Sequence, residues 1–449
     1  MNRIYRALTI AGSDSGSGAG IQADLKTFAA LGVYGMSAIT SVTAQNTVSI
    51  KAVQDVRPTV VKAQIRAVVE DIGVDAAKVG MLHTTPVIKA VAEELKKYKF
   101  PIVVDPVMIA KSRARLLEQK SMHSLIEEIF PLATVLTPNA LEAEALTGGK
   151  IRNIDDAKKA AEKISEMGPK AVIVKGGHIP QGNTVTDVLF YEGHFHTFET
   201  EKLEGKSTHG TGCTFSAAIA AELAKGKDVV EGAETAQKFV AKSIRFGFPL
   251  GRGYGPVNQL ANLYNECERY AVIKNLTEAV EILESSPEVA KLIPETNSNL
   301  VMALPYAESH LEVVGIPGRI VGTTRGVKAS SCPRFGASRH VADTVLTIMK
   351  HNLTIRAGMN IRYSEKIVEI CEKTGLVVSF YDRREEPAEI KKVEGMTTRW
   401  GAEEAIKRVG RVPDVIYHKG DWGKEPMITL LGKDALQVAG ISVKIAREV

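Results

Sequence analysis

No apolar run in this 449-residue sequence approaches the roughly 18 residues that a membrane-crossing helix needs. The stretch Ala7–Gly12, behind Arg3 and Arg6, is also too short for the core of a signal peptide, so neither a membrane nor a secretory destination is expected. Cysteine is scarce: Cys213, Cys267, Cys332 and Cys371 stand far apart and form no paired metal spacing. Free thiols in a reducing cytoplasm are the expectation. The excess of 57 Lys and Arg over 52 Asp and Glu is small for the length and is not gathered into runs. That sets nucleic acid aside as a first reading and suits anionic small substrates. There is no internal repeat and no low-complexity segment.

A hydrophobic fraction of 44% and a charged fraction of 24% are those of a folded chain, and the length exceeds one ordinary core. Two domains are therefore expected. From Arg6 to about Phe246, short β-rich runs alternate with helical patterns. Ala7–Ala11, Gly35–Thr40, Lys78–Leu82, Ile102–Asp105, Thr134–Thr137 and Ala171–Lys175 read as strands. Ile21, Leu25, Phe28 and Leu31 recur at helical spacing, and Val60–Asp71 and Val87–Lys97 read as helices. This alternation predicts an α/β fold with a mostly parallel sheet covered on both faces. Val185–Tyr191 and His194–Thr200, joined at Glu192-Gly193, read as a hairpin on that sheet.

The pattern breaks where glycine and proline cluster between Gly247 and Pro256. A polar helical stretch then runs through Glu268, and a fresh helix, Ile273–Leu283, opens a second, smaller α/β region. Its expected strands are Leu300–Leu304, Val313–Ile316, Leu376–Tyr381, Val415–Tyr417 and Ile428–Leu431. Its expected helices are Ser338–Lys350, Glu365–Lys373 and Ala402–Val409. The boundary is placed near residue 270, giving domains at 1–266 and 271–449.

Three segments lie just beyond expected strand ends, where open α/β sheets bind ligands. His209-Gly210-Thr211-Gly212-Cys213 leads into an apolar helix, and Gly210 and Gly212 let backbone amides converge on a phosphate at its N-terminus. Alone, the same run also fits a loop that merely starts a helix. Asn139 and Glu142 lie three apart and suit a Mg²⁺ that keeps most of its waters, or equally an N-cap with a first-turn acid. Lys175, at a strand end before Gly176-Gly177-His178, suits nucleotide phosphates, although a lone strand-end lysine is usually solvated.

Taken together with Ala11–Asp14, Gly18–Thr27, Thr43–Thr47, Lys78–Leu82 and Asp105–Met108, these segments resemble bifunctional hydroxymethylpyrimidine/phosphomethylpyrimidine kinases over roughly residues 5–260. The resemblance implies a ribokinase-like three-layer α/β/α domain that uses ATP and Mg²⁺, with Thr211 and Lys175 on the nucleotide. It also implies that Gln45 binds the aminopyrimidine edge, Met81 packs on its ring, Val107 offers backbone contacts, and Gly12 and Asp24 lie in the substrate set. An amide that donates and accepts, with an apolar face, suits a flat heteroaromatic. For Met81 alone, core packing is the commoner role. Cys213 stands where many ribokinase-like enzymes place an aspartate base, and a helix N-terminus lowers a thiol pKa, so it is the expected base. Bordering the anion hole is its alternative role. The segment at Ala110-Lys111-Ser112 reads as a flap, with Arg113 where relatives commonly have glycine.

In the second region Arg334, Arg339 and His340 gather before a helix, itself an anion site. Asp382-Arg383-Arg384 and His418–Gly423 add polar groups after strands, while Asp382–Glu394 reads as a solvated, densely charged surface. Any one exposed arginine is usually just solvated. Gly315–Arg319, Phe335–Ala342, Pro413-Asp414 and Gly420–Pro426 resemble the archaeal-type thiamine-phosphate synthase domain over about residues 271–449. That resemblance implies coupling of hydroxymethylpyrimidine diphosphate with thiazole phosphate, giving thiamine phosphate and pyrophosphate, with Arg319 and His340 catalytic. Cations and Mg²⁺ would stabilise the departing pyrophosphate, and a histidine would donate to it. Two other readings stay open: a C-terminal domain that only senses thiamine phosphate, and a pyridoxal-type kinase. Small-molecule partners, no nucleic acid and a homo-oligomer, a dimer by family expectation, complete the set.

Overall fold

A computed structural model describes residues 3–108, 116–180, 182–203, 205–391 and 395–449. The flap segment with Arg113 lies outside the described residues, as does the end of the charged run at 392–394. The chain divides into two compact units, Met1–Ala261 and Asn262–Val449.

The first unit runs β1 (Arg6–Asp14), α1 (Gly20–Ala30), β2 (Tyr34–Gln45), β3 (Ile50–Asp55), α2 (Pro58–Asp71), β4 (Ala76–Val79), α3 (Thr85–Leu95) and β5 (Ile102–Val104). It continues with α4 (Met122–Glu128), β6 (Val135–Leu136), α5 (Ala140–Thr147), α6 (Ile154–Ser165), β7 (Ala171–Val174), β8 (Thr184–Tyr191), β9 (His194–Glu201), α7 (Thr211–Ala224) and α8 (Val229–Arg245). Among the described residues the sheet has nine strands in the order β3-β2-β1-β4-β5-β6-β7-β8-β9. The inner pairs from β2 to β7 are parallel, and β3, β8 and β9 pair antiparallel at the two sides.

Side chains alternate along the buried strands, and the two faces carry separate cores. Val172 and Val174 face the core built on α2, α3 and α6, while Ala171 and Ile173 face that of α1, α7 and α8. That period of two is why each strand reads as a continuous apolar run. The arrangement is a three-layer α/β/α sandwich.

The second unit contains α9 (Ala261–Glu284), β10 (Leu300–Ala303), β11 (Val313–Gly315), β12 (Ile320–Thr323), β13 (Gly326–Ala329), β14 (Arg334–Phe335), α10 (His340–Met349), β15 (Ala357–Arg362) and α11 (Glu365–Lys373). It closes with β16 (Val378–Phe380), α12 (Ala388–Lys391), α13 (Met396–Val409), β17 (Val415–His418), β18 (Met427–Gly432) and α14 (Ala435–Glu448). Seven strands form one sheet, β14-β11-β10-β15-β18-β17-β16, among the described residues. It is antiparallel except where β16 meets β17.

The structure departs from the sequence reading in several places, since β3, β12, β13, β14, β15 and α14 were not expected. The helix expected to break near residue 270 is continuous from Ala261 to Glu284, because Val272, Leu276, Ala279 and Leu283 form a buried stripe that the polar first turns only extend. Within the charged run after β16, Arg383 and Glu386 are not solvated: their side chains are 15% and 1% exposed and lie 4.0 Å apart. No described helix is long and apolar enough to cross a membrane.

Candidate active sites

In the first unit α7 packs against β1, β4 and β5, and Asp105, just past β5, and Lys175, just past β7, reach its first turn. Gly210 precedes that helix with φ +86°, and a Cβ on it would fall 1.8 Å from the Gly18 carbonyl oxygen. Only glycine fits there, and its absence of a side chain lets the Gly18–Gly20 loop close onto α7. A Cβ on Gly212 would lie 3.3 Å from Lys175 Nζ and 3.5 Å from Asp105 Oδ2. Helix start, lysine and carboxylate therefore border one small space, with Lys175 bonded to Asp105 at 3.0 Å. The Thr211 hydroxyl is turned to the Thr208 carbonyl at 2.8 Å, so it braces the loop.

Cys213 sits in the first turn of α7, but the lowered pKa expected there is not found. Burial pushes the thiol up to about 11; Lys78 pulls it down while Asp24 and Asp105 push it further up. Desolvation outweighs the helix terminus here.

Asp24 is fully enclosed. Its Oδ2 accepts from Thr9 Oγ1 at 2.6 Å and Lys78 Nζ at 2.9 Å, and its Oδ1 is buried without a partner. Burial raises the Asp24 carboxyl and works against the charge on Lys78, while each holds the other charged and Thr9 favours the carboxylate. Burial, the largest influence, leaves the Asp24 carboxyl raised overall, while Lys78 is held charged, and Asp24 itself exposes no atom to the crevice.

A second cluster lies at the ends of β1 and β2. Asp14 accepts from the amides of Gly16, Gly18 and Ala19 at 2.8, 3.1 and 2.9 Å, and His209 Nε2 lies 3.0 Å from its Oδ2. Burial alone would raise Asp14; its bonds to His209 and those amides hold it below the usual carboxylate range. The carboxylate thus accepts a hydrogen bond from Nε2–H, and the Gln45 amide nitrogen, 3.3 Å from the same ring nitrogen, is left without a strong acceptor among the described residues. Gly12 adjoins Met81, whose sulfur would be 3.3 Å from a Cβ on the glycine. Met81 is 8% exposed, with its carbonyl held by Thr40 at 2.7 Å. Val107 follows Asp105 in a tight turn, its N–H bonded to the Asp105 carbonyl at 2.8 Å.

Asn139 and Glu142 close a capping box: Asn139 Oδ1 accepts from the Glu142 N–H at 3.0 Å, and Glu142 Oε2 from the Asn139 N–H at 2.8 Å. This is the structural alternative to metal ligation. Glu142 is nonetheless unusual, since burial pushes its carboxyl up to about 7, against the pull of Lys175. No group of three or more His, Cys, Asp or Glu among the described residues is placed to hold a metal alone.

Asp14, His209, Lys78 and Asp105 received no role from the sequence. Each stands inside a segment singled out for other residues, and only the tertiary contact gives it a partner.

In the second unit, Arg319 and His340 stand at the same end of the sheet. Arg319 follows β11 with φ +76° and bonds the Thr296 carbonyl beyond the start of β10. His340 opens α10, whose approach carries Ser338 to 3.1 Å from a Cβ on Gly315. Both side chains belong to exposed residues. Asn299 fixes the turn between them, its Nδ2 donating to the Ile316 carbonyl at 2.9 Å and its Oδ1 accepting from the Ile316 N–H at 2.9 Å. Arg334 and Arg339 are exposed beside this helix start. His418 is desolvated, which drives its imidazole down to about 4, so it stays neutral.

Comparison with known proteins gives each unit a match. Residues 14–258 match the phosphomethylpyrimidine kinase family and residues 275–444 the family of thiamine-phosphate synthase ThiN. The hydroxymethylpyrimidine/phosphomethylpyrimidine kinase of Bacillus subtilis strain 168 is 49% identical over 259 residues, covering 58% of this chain and 96% of that protein. The bifunctional thiamine biosynthesis protein ThiDN of Methanocaldococcus jannaschii is 33% identical over 433 residues, covering 96% of both. Among solved structures, an ADP complex of Bacillus subtilis pyridoxal kinase is similar with a TM-score of 0.54 and 40% identity, covering 57% of this chain and 98% of that one.

Proposed function

The chain belongs to the phosphomethylpyrimidine kinase family and carries a ThiN thiamine-phosphate synthase domain behind the kinase, and from that premise we propose that both units are catalytic and act in sequence. The first phosphorylates hydroxymethylpyrimidine and its monophosphate with ATP. The second couples the diphosphate with thiazole phosphate to give thiamine phosphate and pyrophosphate. The observation that carries the kinase reading is the space bordered by Gly212, Lys175 and Asp105 at the start of α7.

In this reading the amides of Gly210–Cys213 and the Lys175 ammonium hold the transferring phosphoryl group. Asn139, whose backbone pairs with that of Lys175, is assigned to the nucleotide. Gln45 pairs with the aminopyrimidine edge between Gly12, Met81 and Val107. The Cys213 thiol borders the anion site, and it receives the hydroxyl proton only as the thiolate, the minor form below about pH 11, whose charge Lys78 offsets. Glu142 and Asp105 are hard carboxylate donors beside Lys175, and they fit a Mg²⁺ that keeps most of its waters. When bound, the ion neutralises phosphate charge. The division at Ala261–Asn262, a few residues ahead of the 1–266 and 271–449 expected from the sequence, is taken as the border between the kinase and synthase domains. A cytoplasmic homodimer is proposed from the sequence, and gel filtration checks the oligomer.

Incubating the protein with hydroxymethylpyrimidine, Mg-ATP and thiazole phosphate tests both units, with mass spectrometry of the products. Diphosphate without thiamine phosphate would reduce the second unit to a sensor. One solved relative is named a pyridoxal kinase, so relative kcat/KM for pyridoxal and hydroxymethylpyrimidine decides the preferred alcohol.

A further inference from the structure

Trp422 is 99% exposed, more than any other large hydrophobic side chain among the described residues, Tyr270 at 76% being next. A bare indole is costly to leave in water. Its loop, between β17 and β18, is nevertheless built firmly. Asp421 and Lys424 exchange backbone hydrogen bonds at 3.2 and 2.8 Å, and the Trp422 N–H donates to Asp421 Oδ1 at 2.8 Å. Gly420 and Gly423 take φ of +81° and +68°, and a Cβ on Gly420 would lie 2.5 Å from the Lys424 carbonyl. The backbone that carries this exposed side chain is thus fixed.

The base of the loop is tied to the synthase site. The Glu425 carboxylate accepts from the N–H of Glu295 at 2.8 Å, and from the N–H and hydroxyl of Thr296 at 3.1 and 2.7 Å. The carbonyl of that same Thr296 receives the Arg319 guanidinium. Strand register puts the loop at this end too, since Met427 pairs with Arg362 and Met359 with Leu300. The loop that carries the exposed indole is therefore tied, through Glu425 and Thr296, to the arginine assigned to catalysis, with Lys419 and Lys424 exposed beside it.

We propose that Trp422 is the ring-binding residue of the synthase, stacking on the thiazole of thiazole phosphate. This rests on the synthase reading given above. In the coupling, the thiazole nitrogen lone pair forms a C–N bond to the pyrimidine methylene as the C–O bond to pyrophosphate breaks, and pyrophosphate leaves with that electron pair. The ring becomes a thiazolium cation, and an indole face holds a flat cation better than a flat neutral ring. The diphosphate of the other substrate is anionic and is served by Arg319 and His340.

The test uses the intact protein, whose only other tryptophan, Trp400, packs edge-on against Tyr381 at 5.9 Å. Thiazole phosphate added alone should quench fluorescence saturably, and Trp422→Phe should abolish that quench. Trp422→Ala should raise KM for thiazole phosphate about tenfold, the loss of one aromatic contact. Trp422→Tyr should recover most of it, with the kinase rate unchanged throughout. Wild-type turnover matched by Trp422→Ala, or a quench given by the pyrimidine diphosphate and not by thiazole phosphate, overturns the assignment alone. A wild-type protein that makes no thiamine phosphate overturns the synthase reading and this inference with it.

Discussion

Lys78 Nζ lies 2.9 Å from Asp24 Oδ2, and solvent reaches neither side chain. Such a pair is held together less by attraction than by the penalty for separating its members. Lys78→Met should therefore destabilise the kinase unit by about 3–5 kcal/mol, because it leaves Asp24 buried and uncompensated. Lys78→Met with Asp24→Leu should recover much of that stability while kinase turnover stays low. Residual kinase activity against urea concentration reads the first effect, and steady-state rates the second.

Cys213 should behave as a thiol, not a thiolate, in the free protein. Mass-resolved alkylation should label the exposed Cys267 and Cys332 first, with Cys213 reacting slowly until the pH approaches about 11. Cys213→Ala should lower kinase kcat by about 10² or more if the sulfur takes the substrate proton, the usual range for a positioned base. A Cys213→Ala enzyme with full rate would leave the sulfur only as a wall of the anion site.

The Glu142 carboxyl gives the fold a pH dependence opposite in sign to a surface-paired acid. Its folded pKa, about 7, lies above the ordinary value of 4.5. The folded state therefore binds the proton more tightly, and stability is lost as pH rises from 4.5 through about 7. Glu142→Gln should flatten that loss in denaturant midpoints at pH 5 and pH 8. It should also cost about 1 kcal/mol for the weakened capping box.

Arg319→Ala and His340→Ala should each cut thiamine phosphate formation from supplied diphosphate by about 10²-fold or more, as removal of a charge-stabilising donor does. The kinase rate is the internal control, since both residues lie in the second unit. Unchanged turnover in both variants would remove the two assignments.

The strands of the first sheet were legible because burial on both faces turns each into an unbroken apolar run. β3 was missed for the opposite reason: Ile50–Asp55 is an edge strand with no fully buried residue. The glycines before α7 were legible as a motif, whereas the roles of Lys78 and Asp14 were not. Lys78 reads as one polar residue in an apolar strand until Asp24, 54 residues away, is seen beside it. Cys213 shows the limit of a local rule, because a helix terminus favours a thiolate only where water or a cation still reaches the sulfur.

The unbroken helix from Ala261 to Glu284 bears on how such a chain is assembled over generations. Asn265, 2% exposed, exchanges hydrogen bonds with the backbone of Tyr306 at 3.0 and 2.9 Å, so even the first turns are committed to the second unit. A gene junction at codon 270 would strip that unit of its anchoring turns and append a stump to the kinase. The seam that spares both ancestors lies earlier, in the glycine- and proline-rich stretch ahead of Ala261, and recombination between lineages would be tolerated there.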